Sequence, residues 1–126
     1  MSLPQSTLLT PQEYLDLERK SEIRSEYVDG EMVAMSGASW RHGLIAGNFF
    51  SELISQMRGR TCHARIADQR VRVSPTGMYT YPDVVALCGE PEFEDAHVDT
   101  LLNPAVIIEV LSDAGIELPP VLIETL

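Results

Sequence analysis

Two nearly continuous apolar runs constrain the fold of this chain more than any other feature of its sequence. They cover residues 84–87 and 106–111, and only the second contains a charged residue, Glu109. Runs without polar alternation are typical of strands that are covered on both faces of a sheet. We therefore predict that both runs form central strands of one β-sheet.

A short helix and a hairpin are expected before these strands. Thr10 and Glu13 are spaced as in a capping box, with a proline at the first helical position, which predicts a helix ending near Lys20. The dipeptide Asp29-Gly30 lies between two strand-like runs. It predicts a β-hairpin, because a type I′ turn requires positive φ at both of its central residues.

A longer helix should follow the hairpin. Ser39 is a suitable N-cap, Arg58 and Gly59 suit a helix end, and Trp40 is expected to cover the helix start. The apolar side chains in between recur at helical spacing and predict one core-facing stripe: Ala46, Phe49, Phe50, Leu53 and Met57. With the strands that come after it, this helix predicts an α+β domain built around a mixed sheet.

Composition places the chain among globular proteins. It has 126 residues, 44% of them hydrophobic and 22% charged, and its net charge of -10 disfavours a general polyanion binder. No apolar run approaches the length of a membrane helix, and the start lacks the features of a signal peptide. We expect no membrane association and a cytoplasmic location, with Cys62 and Cys88 as reduced thiols in the core.

The candidate site consists of two carboxylates. Asp83 comes directly before the first apolar run, and Glu109 lies inside the second. A carboxylate in a buried strand is costly unless it is paired or binds a cation. If the two strands are neighbours, both carboxylates and a strand carbonyl such as that of Val110 form an oxygen site suited to Mg²⁺ or Mn²⁺. The alternative is that an arginine or backbone donors satisfy Glu109.

Several segments around these carboxylates resemble a known family. The resemblance rests on Tyr81-Pro82-Asp83-Val84-Val85 and on residues 104–112, and it extends over residues 10–112. The chain resembles the Uma family of restriction-endonuclease-like proteins, within the PD-(D/E)XK nuclease superfamily. The resemblance implies a restriction-endonuclease-like core and metal-dependent hydrolysis of DNA phosphodiesters. It also implies that Asp83 and Glu109 are the catalytic metal ligands.

The sequence departs from the pattern of that superfamily at its catalytic lysine. The pattern places a lysine two positions after the glutamate, where this chain has Leu111, and the only lysine is Lys20. The resemblance also implies a helix soon after Ser112, which usually supplies the lysine in this family. Residues 113–126 resemble nothing in the family and contain no lysine, and Pro119-Pro120 is incompatible with a helix. We therefore predict an incomplete domain over residues 10–112 and a divergent tail over 113–126, with an exposed sheet edge. Residues 1–9 carry no pattern and are expected to form a flexible terminus.

Further residues are weaker candidates. His42, at the start of the long helix, and Glu31, beside the hairpin turn, are candidates for positions near the site, although capping or solvated roles are commoner for such residues. Arg70 and Arg72 point the same way from one predicted strand. They are either a face that binds a nucleic-acid backbone or a solvated face that balances the acidic loop.

Two functions follow from these observations. The first is a Mg²⁺-dependent DNA endonuclease, with inactivity expected from the missing lysine and helix. The second is a non-catalytic remnant that binds nucleic acid or associates with itself. DNA and a second copy of the chain are thus the expected partners.

Overall fold

The computed structural model describes residues 8–37, 39–73, 76–111 and 121–125. The chain divides into two compact units. The first unit comprises Met1–Gly37 and Arg72–Thr80, and the second comprises Ala38–Val71 and Tyr81–Leu126. The described residues combine two helices with mixed sheets, which confirms the α+β prediction. In chain order the elements are α1 (Pro11–Glu18), β1 (Ser25–Val28), β2 (Glu31–Ala34), α2 (Trp40–Gln56), β3 (Cys62–Ile66), β4 (Arg70–Val73), β5 (Met78–Thr80), β6 (Val84–Cys88), β7 (Thr100–Leu101), β8 (Val106–Val110) and β9 (Val121–Thr125).

Helix α1 begins with the predicted capping box. The Glu13 N–H donates to Thr10 Oγ1 at 3.1 Å, and the Thr10 N–H donates to Glu13 Oε1 at 2.9 Å. These two bonds satisfy backbone donors that have no partner inside the helix. The helix ends at Glu18 with Arg19 as its C-cap, slightly before the predicted end.

The hairpin of the first unit forms at the predicted turn. Strands β1 and β2 are antiparallel, and Asp29 and Gly30 between them have φ of 50° and 85°. Strand β5 pairs with the other edge of β1, so the order in this unit is β2-β1-β5. Three tyrosine rings from α1, β1 and β5 lie 5.1–5.7 Å apart and form the core of the unit: Tyr14, Tyr27 and Tyr79.

Both apolar runs form central strands in the second unit. Its sheet has the order β3-β6-β8-β9, and every neighbouring pair is antiparallel. Residues 84–87 of β6 are all buried, as are Ile107, Ile108 and Val110 of β8. The central position of these two strands, flanked on both edges, confirms the prediction and brings the ends that carry Asp83 and Glu109 together.

Helix α2 packs against this sheet through the predicted stripe. Ser39 caps the helix by accepting a hydrogen bond from the His42 N–H at 3.1 Å, and the helix ends at Gln56. The stripe residues are half-buried and the helix contacts β3, β6 and β8. Trp40 is 83% exposed. The expectation that it covers the helix start is therefore wrong.

The two cysteines form a disulfide and are not free thiols in the core. Cys62 on β3 faces Cys88 on β6 in the antiparallel register, and their Cα atoms are 3.9 Å apart. A hydrogen bond from the Gly89 N–H to the Thr61 carbonyl at 2.7 Å lies beside this pair. The cysteines thus occupy a non-hydrogen-bonded position, where facing side chains come closest. The prediction of reduced thiols overlooked this pairing of strands.

Part of the C-terminal tail completes the sheet. Strand β9 pairs with β8 over five residues, so the edge of β8 is covered and the predicted exposed edge is not found there. Five residues with a β-branched and apolar composition suffice for an edge strand. Residues 112–120, to which the predictions about the missing helix refer, lie outside the described residues. Neither described helix is long and apolar enough to cross a membrane.

Candidate functional site

Asp83 lies where the chain enters β6, directly after the buried Pro82. Its Oδ2 accepts a hydrogen bond from the Val110 N–H at 2.7 Å and lies 3.1 Å from His42 Nε2. The Asp83 side chain is only 13% exposed. One carboxylate thus connects β6, the end of β8 and the start of α2.

The register of β6 and β8 determines how close Asp83 and Glu109 are. Val84 faces Ile108 at the end of this pairing, and Asp83 and Glu109 are the next residues along the two segments. The Val110 N–H donates to the side chain of Asp83, so Asp83 lies beside the end of β8, next to Glu109 in the sequence.

The Val110 carbonyl belongs to the same edge. The N–H and C=O of one strand residue point to the same side, so this carbonyl points towards the side on which the Val110 N–H contacts Asp83. Pro82, directly before Asp83, has no N–H to donate to a neighbouring strand.

His42 is held at the site by the start of α2. It is the third residue of the helix, after Trp40 and Arg41, and its side chain is 22% exposed. Because a carboxylate only accepts hydrogen bonds, the contact with Asp83 assigns the proton to Nε2 of His42. In the neutral ring Nδ1 is then the acceptor. His42 can orient Asp83 and has a second nitrogen for another group.

The donor set fits a hard cation that keeps part of its water shell. Within the described ranges no group of three or more His, Cys, Asp or Glu side chains is placed to hold a metal. Mg²⁺ needs only one or two carboxylates from a protein and completes its shell with water and substrate oxygens. Asp83, Glu109 and the Val110 carbonyl are suitable for that cation, whereas a zinc site would need more side-chain ligands.

Three further residues bear on the predictions about the site. Glu31 is an exposed residue of β2 in the first unit. Leu111, at the position of the expected lysine, is half-buried directly after β8. Lys20 is exposed after α1, also in the first unit. The structure thus brings together His42, Asp83 and the end of β8.

Arg70 does not form a nucleic-acid-binding or solvated face. Its side chain is buried, with Nε donating to Thr100 Oγ1 at 2.9 Å and Nη1 donating to the Tyr81 hydroxyl at 3.0 Å. Nη2 forms an ion pair with Asp99 Oδ2 at 2.7 Å. Arg72 is half-buried, with its guanidinium carbon 5.3 Å from the centre of the Tyr79 ring. The expectation that Arg70 lies on an open face is therefore not met, because its guanidinium is buried and paired. For Arg72 the nucleic-acid-binding role stays a prediction.

The charge of Arg70 is stabilised by its partners. Burial by itself lowers the pKa of the guanidinium, but the hydrogen bonds and charges of Tyr81 and Asp99 together outweigh burial and raise that pKa above its usual value. Arg70 therefore remains a cation inside the second unit, where it joins β4 to the segment around β7.

Sequence reasoning missed the hydrogen bonds that join these residues. It named His42 as a candidate from its place at a helix start, without a partner, and it considered only the carbonyl of Val110. Pro82 directly before Asp83 was one local signal, because proline at the start of a strand has no N–H to donate to a neighbouring strand. The contact between His42 and Asp83 had no comparable local signal.

Comparisons with known proteins identify the family to which this chain belongs. Residues 11–116 match the sequence model of the Uma2 family, described as "Putative restriction endonuclease". Two relatives from Synechocystis sp. are uncharacterized proteins, sll1609 and slr1290, which are 32% and 31% identical over 115 and 104 residues. These alignments cover 91% and 82% of this chain, which spans 65% and 54% of the relatives' own lengths.

A solved structure has a similar fold. It is the crystal structure of a "putative nuclease belonging to DUF820" from Anabaena variabilis, with a TM-score of 0.55 and 23% sequence identity. The similarity covers 64% of this chain and 43% of that one. The mixed sheets and helices described above thus match the fold of a restriction-endonuclease-like neighbour. Together with the match over residues 11–116, this places the chain in the Uma2 family of restriction-endonuclease-like proteins.

Proposed function

We propose that this chain is a Mg²⁺- or Mn²⁺-dependent DNA endonuclease of the PD-(D/E)XK type, in which Asp83 and Glu109 hold the cation. The observation that supports the proposal is the hydrogen bond from the Val110 N–H to the Asp83 side chain at 2.7 Å, which joins the start of β6 to the end of β8 beside Glu109. The family description, and the printed name of the Anabaena structure as a nuclease, support this class of activity.

Each residue has a distinct role in this proposal. Asp83 binds the cation through its carboxylate while the Val110 N–H and His42 fix the orientation of that carboxylate. Glu109 supplies the second carboxylate, and the Val110 carbonyl supplies a backbone oxygen. When bound, the cation polarises a phosphoryl oxygen and lowers the pKa of the attacking water. His42 is a positioning residue, because its contact is with a ligand of the cation.

A plasmid cleavage assay with Mg²⁺ or Mn²⁺ tests the proposal. Asp83→Asn and Glu109→Gln preserve size and remove the negative charge, so each should reduce cleavage at least about a hundredfold. Asp68→Asn is the matched control, because Asp68 is an exposed carboxylate in the turn between β3 and β4. Cleavage by the Asp83→Asn variant at the wild-type rate would remove this residue from the mechanism.

A second candidate function is a non-catalytic domain that binds without cleaving. It is favoured by Leu111 at the position where the superfamily pattern has lysine, since a leucine cannot stabilise developing negative charge. Wild-type protein that binds Mn²⁺ and DNA but leaves plasmid intact would support this function. The Leu111→Lys variant then distinguishes the two candidate functions. If this variant cleaves the plasmid, the metal site was complete and only the positive charge of a lysine was missing.

A further inference from the structure

We propose that the disulfide between Cys62 and Cys88 is a reversible redox switch, which controls how firmly the edge strand β3 is held in the second unit. β3 is the outer strand in the order β3-β6-β8-β9, and its neighbour is β6. The disulfide joins the first residue of β3 to the last residue of β6. The chain contains two cysteines, so reduction and reoxidation within one chain can only open and re-form this bond.

The disulfide is accessible to reagents in solution. Cys88 is an exposed residue and Cys62 is half-buried. The buried part of β6 begins only at Leu87, the residue before Cys88, which is 5% exposed. An exposed disulfide is reduced more readily than a shielded structural one, and this lability is typical of regulatory pairs.

The charges around the two cysteines differ. Residues 57–67 contain no acid, and three exposed arginines lie within four positions of Cys62 in the sequence: Arg58, Arg60 and Arg65. Two exposed acids, Glu90 and Glu92, follow Cys88 instead. Positive charge stabilises a thiolate, so the sulfur of Cys62 is the better leaving group and Cys88 is the sulfur that is attacked.

Thiol–disulfide exchange with a dithiol gives a balanced reaction. One thiolate of the dithiol attacks Sγ of Cys88, the S–S bond breaks, and Cys62 leaves as a thiolate. The second thiolate of the dithiol then attacks its own sulfur in the mixed disulfide and releases Cys88. Two electrons and two protons pass to the cysteine pair, and the dithiol becomes a disulfide. The reverse exchange with that oxidised reagent re-forms the bond.

Strand β3 has other contacts that hold it after reduction. It pairs with β6 over five residues, and a hydrogen bond from the Gly89 N–H to the Thr61 carbonyl at 2.7 Å extends this pairing beyond the cysteines. Helix α2 also contacts β3. The two thiols therefore stay opposite each other, and reoxidation is a reaction between groups that are already positioned. The fold does not need the bond in order to keep it ready to close.

Reduction changes the stability of the chain. The bond joins residues 26 positions apart, and closing a loop of this size lowers the entropy of the unfolded state. Its loss should lower the melting temperature by about 10 °C. In the folded state β3 is then held on one side by the ladder alone, so its Cys62 end should open more often. The switch is independent of the proposed cation site, because Asp83 is held by the Val110 N–H.

Equilibration of the native protein with reduced and oxidised dithiothreitol at a series of ratios tests the switch. Thiol trapping and mass spectrometry should show that both cysteines convert together, without denaturant and in both directions. Circular dichroism should show a folded chain at both extremes, with the reduced form melting about 10 °C lower. Cys88→Ser is the matched control, since Cys88 is exposed: it should melt like reduced wild type and should not respond to dithiothreitol.

Limited digestion with trypsin tests whether the effect lies in β3. Cleavage after Arg65, inside β3, requires the strand to leave the sheet, so it should be about tenfold faster in the reduced form than in the oxidised form. Any of three results would overturn the proposal. These are a pair that reacts only in denaturant or stays reduced in the oxidised reagent, a reduced chain that is unfolded, and equal melting and digestion of the two forms.

Discussion

At the scale of single residues, a charged side chain can stabilise either the fold or a site, and its neighbours decide which. Asp83 and Arg70 are both largely buried. Arg70 has an ion-pair partner and two hydrogen-bonding partners of its own, which satisfy most of its donors. Asp83 accepts both of its hydrogen bonds at Oδ2, within the part of the chain that the structure describes. Its Oδ1 is the oxygen that we assign to the cation.

Replacing Arg70 tests its structural role. Arg70→Met should lower the free energy of unfolding by about 2–3 kcal/mol, because Tyr81 and Thr100 lose their partner and Asp99 loses its counter-charge. This loss of unfolding free energy is smaller than the loss expected on breaking a fully buried ion pair, because the Asp99 side chain is 35% exposed. Urea denaturation measures the difference, with Arg65→Met on exposed β3 as the control, expected to stay within about 0.5 kcal/mol of wild type.

DNA affinity distinguishes this role from nucleic-acid binding. If Arg70 is structural, a folded Arg70→Lys variant should bind DNA with the affinity and salt dependence of wild type. A smaller salt slope for that variant, at unchanged stability, would contradict the structural assignment.

The residue scale also shows where prediction from sequence ends. Asp83 and Glu109 were identifiable because a carboxylate beside or inside an apolar run is chemically unusual. The burial of Arg70 was not identifiable, because an alternating pattern has the same appearance whether its polar face contacts water or a neighbouring hydroxyl. The partners Tyr81 and Thr100 are eleven and thirty positions away in the sequence, and only tertiary structure brings them to the guanidinium.

At the scale of elements, local signals predicted the helix start and the hairpin well. The capping box at Thr10 and the turn at Asp29-Gly30 depend on contacts within four residues, so the sequence determines them directly. The pairing of β3 with β6, which forms the disulfide, and the pairing of β9 with β8 depend on distant partners. No local feature of the sequence indicates these two pairings. The predictions of reduced thiols and of an exposed edge at β8 were therefore wrong.

The cap of α1 makes a pH-dependent contribution to stability. The pKa of Glu13 is lowered from 4.5, first by the hydrogen bond from the Thr10 backbone N–H and then by the Thr10 side chain. A lowered pKa in the folded state means that the stabilisation is complete well above 4.5 and is lost as the pH falls through the folded-state value. Wild type should therefore be more stable than Glu13→Gln at neutral pH, and the difference should vanish in acid.

Thermal unfolding followed by circular dichroism at a series of pH values measures this effect. Glu22 is an exposed acid outside the helix, so Glu22→Gln is the control. The difference in thermal stability between this variant and wild type should contain no contribution from the cap. A constant difference between wild type and Glu13→Gln from neutral pH to acid would show that ionised Glu13 does not contribute through the cap.

At the scale of the whole molecule, the family assignment and the candidate site are based on the same part of the chain. The match covers residues 11–116 and includes β6 and β8, which carry the hydrogen bond between Asp83 and Val110. The chain spans 65% of one curated relative and 54% of another. The endonuclease and the non-catalytic binding domain are therefore two candidate functions of the same fold. Leu111 is the residue that distinguishes them, because the superfamily pattern has a catalytic lysine at this position.

A calorimetric titration with Mn²⁺ tests the central claim most directly, because it measures the cation without requiring catalysis. Wild type should bind one Mn²⁺ per chain. Asp83→Asn and Glu109→Gln should each abolish most of the heat of Mn²⁺ binding, and Asp68→Asn should leave this heat unchanged. The double variant should lose no more than either single variant, because both side chains hold the same ion. Undiminished binding by Asp83→Asn and Glu109→Gln would contradict the account.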